Sequence, residues 1–564
     1  MNQPHDLHST RPKTAVTTTT GMGTWTRCLW RLSLIFAAAL VALPAFEVRE
    51  VRWGFDGTVV LERFNPVAVL VAEPGPLPFE GMAELRAGNF SSSGAPYVQP
   101  VYLAGGTTRW LRFTPWIGRY PDNFTLKWPD GSHDLGQPRA GRLATVAVGD
   151  GLPAPQGAVA VLPAELFPAS VVAWEGLGAL ALDHDPAWTA DQRAACAAWV
   201  RGGGVLHLFT GRDGRPAHLG AGLADLAGDA GAGNVQRVTA ALGASRTLLK
   251  ADPPTEAPES HSGANISAIQ QSFGSVVQGK HNWPVISSML GIYVLVLALV
   301  PWWLGRRRRS WQMVYGVILG LIAVTTVGLA WIGRRGYGES AVTRTVSVAH
   351  HVGGDRYAVT TFGSSFVVTS GRLTVAHGAG GDLYACPVEH EQVEGAILAG
   401  PEARLSASVP LFTTQHWAHA ATRSGPATPT LSEEPEGWKI TLPSGLVVER
   451  GWLALPTGVV EMHTYGAGFI GAARTTPTPY KNLDHSSPAW SSEDVASVWR
   501  AVGPLALAWS LGPAYGAGEL VHAPAPGCSA IFLLATQPPA WQAPGLGAQE
   551  GRVLYRYDLP RSAP

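Results

Sequence analysis

Charge and cysteine are what this chain has least of. Charged residues make up 15% of its 564 residues, against about a quarter in ordinary soluble domains, which excludes coiled coils and charge-driven disorder. Lys+Arg 41 balances Asp+Glu 41, so no global field points to nucleic acid or to a strongly acidic partner. Four cysteines, Cys28, Cys196, Cys386 and Cys528, are too few and too scattered for a disulfide framework or a zinc cage. The sequence also lacks a GxSxG elbow, a Walker loop and a basic aromatic stripe, the patterns that would name a hydrolase, a nucleotide site or a nucleic-acid surface.

Apolar material is plentiful instead. Hydrophobic residues reach 46% and mean hydropathy is +0.09. Gly 66 and Pro 44 are scattered without a collagen period, which favours many turns and short strands over long helices. The length predicts three or four compact units.

Two runs are long enough to span a bilayer. Residues 285–304 (VISSMLGIYVLVLALVPWWL) and 311–332 (WQMVYGVILGLIAVTTVGLAWI) carry no charge, and about twenty apolar residues cross a hydrocarbon core of about 30 Å as a helix. Trp283, Trp302, Trp303, Trp311 and Trp331 stand at their ends, where indoles prefer the headgroup level. Between them lies the 305–310 loop with Arg306, Arg307, Arg308 and Arg309. So short a loop predicts a helical hairpin, and four arginines mark it as cytoplasmic. Residues 1–27 read as a cytoplasmic N-terminal tail and 28–46 as a signal anchor or a signal peptide. The apolar stretch LSLIFAAALVALPAF follows Arg27 and Arg31, and no clean small-x-small site comes after it. On either reading the regions flanking the hairpin lie outside the cytoplasm.

The exported regions change rhythm along the chain. From 49 to 138, short alternating runs between Gly, Pro and Asn turns predict a β-sandwich, with Trp53, Trp110 and Trp128 as core anchors. From 140 to 250 the runs ATVAV, AVAVL, ALAL and VLHLFT are continuously apolar, as expected of parallel strands covered on both faces. Thr189 and Gln192 form a capping box that predicts a helix over 191–201, stopped by Gly202-Gly203-Gly204. A polar linker over 251–283 precedes the hairpin. A β-rich region follows over 340–475, with a mixed C-terminal region over 476–564 that holds one helix (493–502) and late strands at 530–535 and 553–557. The fold class is thus a multidomain membrane protein: a β-sandwich plus an α/β flavodoxin-like domain, a transmembrane hairpin, then a second mostly-β extracytoplasmic region.

The residues Leu162-Pro163, Trp174-Glu175-Gly176-Leu177, Asp183, Gln192-Arg193 and Trp199-Val200-Arg201-Gly202-Gly203-Gly204-Val205 resemble the extracytoplasmic class I glutamine-amidotransferase-like domain of uncharacterised bacterial membrane proteins. That resemblance covers roughly residues 140–330 and implies a flavodoxin-like fold. Active members need a cysteine on a sharp strand-to-helix turn, and Cys196 falls inside the predicted helix, where a thiol serves as a small buried hydrophobe. The domain is therefore expected to be non-catalytic.

Other motifs weaken on context. Gly466-Ala467-Gly468-Phe469-Ile470-Gly471 matches GxGxxG, yet Pro477 and Pro479 leave no room for the helix that must face a pyrophosphate; it reads as a glycine-rich turn. His350-His351 and the pair His416 and His419 lack a third metal ligand and read as solvent-facing histidines. Asp183, His184 and Asp185 end one parallel strand, and Arg212 and Asp213 end the next. Ligands of open α/β sheets bind at such carboxyl ends, so these five form a candidate ligand edge. No catalytic, cofactor or metal set is assigned. The sequence reads as a non-enzymatic binding or scaffold protein of the bacterial cytoplasmic (inner) membrane. Its partners are the lipid bilayer and other membrane or envelope proteins, not nucleic acid. The alternative is an exported hydrolase working at the strand-end edge.

Overall fold

The structure, a computed structural model, describes residues 46–149, 159–241, 269, 273, 283–335, 341–479, 502–507, 510–511 and 529–559. Short segments within these ranges are omitted (62, 89–93, 119–120, 142, 211–214, 216, 221, 228–233, 308–309, 377–381, 387–392, 399–403, 412, 436, 465–467, 474–475, 544 and 547). The N-terminal tail, the 28–45 part of the anchor segment, residues 493–501 of the expected late helix, Arg212, Asp213, Arg308 and Arg309 lie outside the described residues. So does nearly all of the 251–283 linker.

The molecule is mostly β, with large sheets and few helices. A three-stranded antiparallel sheet (Glu47–Trp53, Val67–Ala72, Thr108–Phe113) faces a seven-stranded one. Alternation along the strands sends Val69, Val71, Leu85, Val101, Leu111 and Leu126 into the space between the two sheets, as in a sandwich.

The seven-stranded sheet corrects the expected boundaries. Its order is Gly131–Gly136, Phe124–Trp128, Phe79–Ala87, Tyr97–Leu103, Gly395–Leu398, Arg404–Val409, Gly371–Ala376. Tyr97–Leu103 pairs in parallel with Gly395–Leu398, and the Ile397 N–H donates to the Pro96 carbonyl at 2.8 Å. Residues from beyond the hairpin thus complete the sandwich expected over 49–138 alone. Without them Tyr97–Leu103 would present a bare edge. Leu373, Val375, Ile397, Leu405 and Trp417 also join the sandwich core.

The α/β unit holds five parallel strands. In space they run Ala160–Leu162, Ala144–Val148, Leu177–Leu182, Val205–Thr210, Asn234–Ala241, which is 2-1-3-4-5 in chain order. Helix α1 (Ala190–Arg201) connects the third strand to the fourth. Its start is closed reciprocally: the Gln192 N–H donates to Thr189 Oγ1 at 3.3 Å and the Thr189 N–H to Gln192 Oε1 at 2.9 Å. The chain leaves through Gly203 at φ 112°, a conformation open to glycine.

An eleven-stranded sheet dominates the rest. Its middle runs Thr413–Ser424, Arg356–Val367, Val342–His351, Ala548–Leu559, Ser529–Thr536, Val448–Leu455. The C-terminal strand lies parallel to Val342–His351 over nine residue pairs, so the 476–564 region supplies the centre of this sheet rather than a separate appendix. One face carries Val346, Phe362, Ala420, Phe532 and Leu554 into the same core as Trp174, Trp199 and Leu180 of the α/β unit.

Helices α2 (Trp283–Arg306) and α3 (Trp311–Arg335) are long and apolar enough to cross a membrane, with mean hydropathy 1.9 over Ser287–Arg306 and 1.6 over Trp311–Gly328. They are not core helices: Ile292, Leu295, Leu319 and Val324 point outward, each more than half exposed. At the turn, the Arg306 guanidinium lies 5.3 Å from the Trp302 ring and that of Arg307 lies 4.1 Å from the Trp303 ring.

Candidate functional site

In an open parallel sheet, ligands settle where the connections from two adjacent strands turn to opposite sides. With order 2-1-3-4-5 that point lies between Ala144–Val148 and Leu177–Leu182, and Asp183 and His184 follow directly on the latter. Asp183 Oδ1 and His184 Nδ1 are 2.5 Å apart, a contact that fixes the imidazole and its tautomer. Asp185 is committed elsewhere. Arg193 in the first turn of α1 grips both its oxygens at 2.7 and 3.0 Å and also donates to the Pro186 carbonyl at 2.9 Å. The Arg193 hydrogen bond, against burial and with help from the Gly220 amide, holds the Asp185 carboxyl below its ordinary range. Of the five expected residues, the structure brings Asp183 and His184 together and ties Asp185 to the helix.

Cys196 is fully buried on α1, and burial drives its thiol far above the ordinary range. As a neutral thiol it packs with Trp199 and Val200 as part of the core. The glycine-rich 466–471 segment leads, where described, into the strand Phe469–Ala473 and not into a helix. Gly468 has φ 88°.

The histidines require a correction. His416 and His419 are buried in the strand Thr413–Ser424, not turned to solvent. Burial pushes His416 down to about 4, so it is neutral at physiological pH. His350 is half-buried, with its Nε2 2.5 Å from Asp558 Oδ2. Among the described residues no group of three or more His, Cys, Asp or Glu is placed to hold a metal.

The last contact belongs to a charged cluster that sequence spacing concealed. Four distant segments meet where sandwich, α/β unit and eleven-stranded sheet join. Arg63 Nε reaches Glu175 Oε2 at 3.0 Å, and Arg556 Nε reaches Asp558 Oδ1 at 3.1 Å while its Nη1 donates to the Ser510 carbonyl at 2.8 Å. Burial opposes ionisation of Asp558, but Arg556 and His350 outweigh it and hold the carboxyl far below its usual range. Burial raises the Glu175 carboxyl, with Arg63, His350 and Arg556 pulling the other way. His350 also abuts the end of α1, where a methyl added at Gly202 would lie 3.5 Å from its Cε1. These residues carry no shared motif, and only the fold assembles them.

Asp382 completes the junction. Burial, helped by the charge of Glu175, pushes its carboxyl up to about 6 against the pull of the nearby Ser170 and Thr114 hydroxyls, and among the described residues its Oδ2 has no hydrogen-bond partner. An unfolded aspartate titrates near 3.9, so the folded state binds this proton more tightly. Stability from this group is present below about pH 4, falls as pH rises to about 6, and stays reduced above that. Asp382→Asn should therefore raise the melting temperature at pH 7.5 and leave it nearly unchanged at pH 4. Equal losses at both pH values would contradict this assignment.

No family model matches the chain, and no curated protein matches it. Among solved structures, the chain is similar to a cycloisomaltooligosaccharide glucanotransferase of Paenibacillus sp. complexed with cycloisomaltoheptaose. The two are 8% identical, and the match covers 75% of this chain and 97% of that one at a TM-score of 0.15. The expectation of a non-enzymatic chain is withdrawn. A TM-score of 0.15 assigns neither its fold nor its reaction here.

Proposed function

We propose that this chain is a membrane-anchored protein of the bacterial cytoplasmic membrane that presents one composite body outside the cytoplasm to bind or scaffold other envelope proteins. The observation that carries this reading is the shared seven-stranded sheet. Residues before α2 and after α3 pair in it directly, so both ends of the hairpin must emerge on one face of the bilayer. Two spans satisfy that requirement and one would not. The arginine loop between them favours a cytoplasmic turn, since Lys/Arg bias sets direction, which supports a body outside.

The 2-1-3-4-5 order supports a flavodoxin-like reading of the α/β unit. A second reading, an exported hydrolase, draws on the Asp183–His184 contact at the strand ends, where an oriented imidazole could serve as a base.

Topology is testable by reporter fusion. A reporter active only outside the cytoplasm, joined after Pro564, should be active, and one active only in the cytoplasm should be silent. Replacing Arg306–Arg309 by asparagine should weaken this orientation without removing either span. A cytoplasm-only reporter active after Pro564 would overturn the reading.

A further inference from the structure

The strand Thr108–Phe113 closes one side of the three-stranded sheet, and among the described residues nothing pairs with its outer edge. The opposite edge strand, Glu47–Trp53, is interrupted by a register shift between Val48 and Glu50, a common way to spoil an edge for pairing. Thr108–Phe113 keeps an unbroken register against Val67–Ala72, so its free backbone is regular and ready to pair.

A cleft of about 510 Å³ runs beside it, lined by five consecutive residues, 108–112, together with Gln99 and Glu165 among others. Neighbouring side chains of a strand point to opposite faces. Five in succession, with Leu70 of the neighbouring strand on one side and Gln99 and Pro100 on the other, set the cleft along the whole length of this edge strand. The volume lies within the roughly 300–1,000 Å³ of small-ligand sites.

The charges in the cleft indicate its occupant. Arg109 and Arg112 are exposed there and Glu165 is the one acidic lining residue. No described hydrogen bond or ion pair engages Arg112. Charges on an edge ordinarily ward off another strand; these instead line an open cleft.

We propose that the free edge of Thr108–Phe113 takes up an extended acidic peptide segment of a partner protein, which adds to the three-stranded sheet as a fourth strand. Main-chain hydrogen bonds would supply affinity, and alternate side chains would meet Arg112 on one face and Arg109 on the other. This names a partner class for the scaffold reading above and rests on it.

The test uses the full-length protein in detergent and three fluorescein-labelled octapeptides followed by anisotropy. One repeats Glu-Glu-Val-Val, which puts glutamate on both faces of an extended strand, one repeats Lys-Lys-Val-Val, and one is the glutamate peptide N-methylated at alternate backbone nitrogens. The glutamate peptide should bind saturably, and the other two at least tenfold more weakly. An Arg109→Glu/Arg112→Glu variant should lose at least tenfold for the glutamate peptide. Amides of 108–113 in the unmutated protein should gain protection from hydrogen exchange when it is bound. Three outcomes would overturn the proposal: no saturable binding, equal binding of the N-methylated peptide, or a concentration-dependent dimer that the double variant abolishes, since a second copy would then be the occupant. A failed peptide with an unchanged topology reporter removes the edge site alone; a reversed reporter removes the scaffold reading beneath it.

Discussion

Deleting the strand Ala548–Leu559 should leave no protease-resistant body, although α2 and α3 remain. That strand is the seam of the eleven-stranded sheet, with four strands on one side and six on the other. It pairs with Val342–His351 over nine residues and with Ser529–Thr536 over eight. Val553, Leu554, Tyr555 and Tyr557 are at most 1% exposed. Fully burying such side chains contributes roughly 1.5–3 kcal/mol each, and four together rival the roughly 5–15 kcal/mol that holds an ordinary domain. Asp558 leaves with them and strands Arg556's neighbour His350. Limited proteolysis of membranes checks this: persistence of the full-length chain's resistant fragment, shortened only by the deletion, would show that the C-terminal region is an appendix after all.

The second large effect lies in the α/β unit. Trp199→Ala should cost about 3–5 kcal/mol, the range for truncating a buried aromatic. The indole is 8% exposed, stands 5.7 Å from the Trp174 ring, and its Nε1–H donates to the Leu177 carbonyl at 3.0 Å. It therefore fastens α1 to the strand that ends in Asp183. Gly204 lies against the same ring, and a methyl there would collide with it. Trp199→Phe keeps most of the packing and loses the hydrogen bond, worth about 1 kcal/mol, so thermal melts should order the variants unmutated, Phe, Ala. A change in Trp199→Ala within experimental error would remove the indole as the helix's anchor.

Local features of this fold were legible in the sequence because their physics is local. The Thr189–Gln192 capping box, the runs Ala144–Val148 and Val205–Thr210, and the apolar helices α2 and α3 each announce themselves within a few residues. Pairing partners do not. Nothing in YVQPVYL states that residues some three hundred positions later, beyond the α2–α3 hairpin, will lie beside it. The segment VTRTVSVAHH alternates as if one face met water, yet Thr343, Thr345 and Ser347 are buried. Hydroxyl contacts explain that burial, with Thr343 to Ser365 at 3.0 Å and Ser347 to Thr361 at 2.8 Å. His416 and His419 misled for the same reason, because a strand covered on both faces hides polar residues that an alternating pattern assigns to solvent. At the candidate site, the end of Leu177–Leu182 was readable from the apolar run. The engagement of Asp185 with Arg193 depends on how α1 folds back, and the Arg63, Glu175, His350, Asp558 junction depends on four separate segments meeting.

The central claim is that the chain on both sides of the hairpin forms one body, and a single cross-link tests it. Val98 and Leu398 are partners in the parallel pair that joins the two regions, and neighbouring strands bring such residues within reach of a disulfide. The measurement uses Val98→Cys with Leu398→Cys, the four native cysteines replaced by alanine, and a specific protease site inserted between Pro258 and Glu259. After oxidation and cleavage the two fragments should migrate together without reducing agent and separate with it. Fragments that separate under both conditions, with both thiols present and reactive, would show that the two regions do not share a sheet.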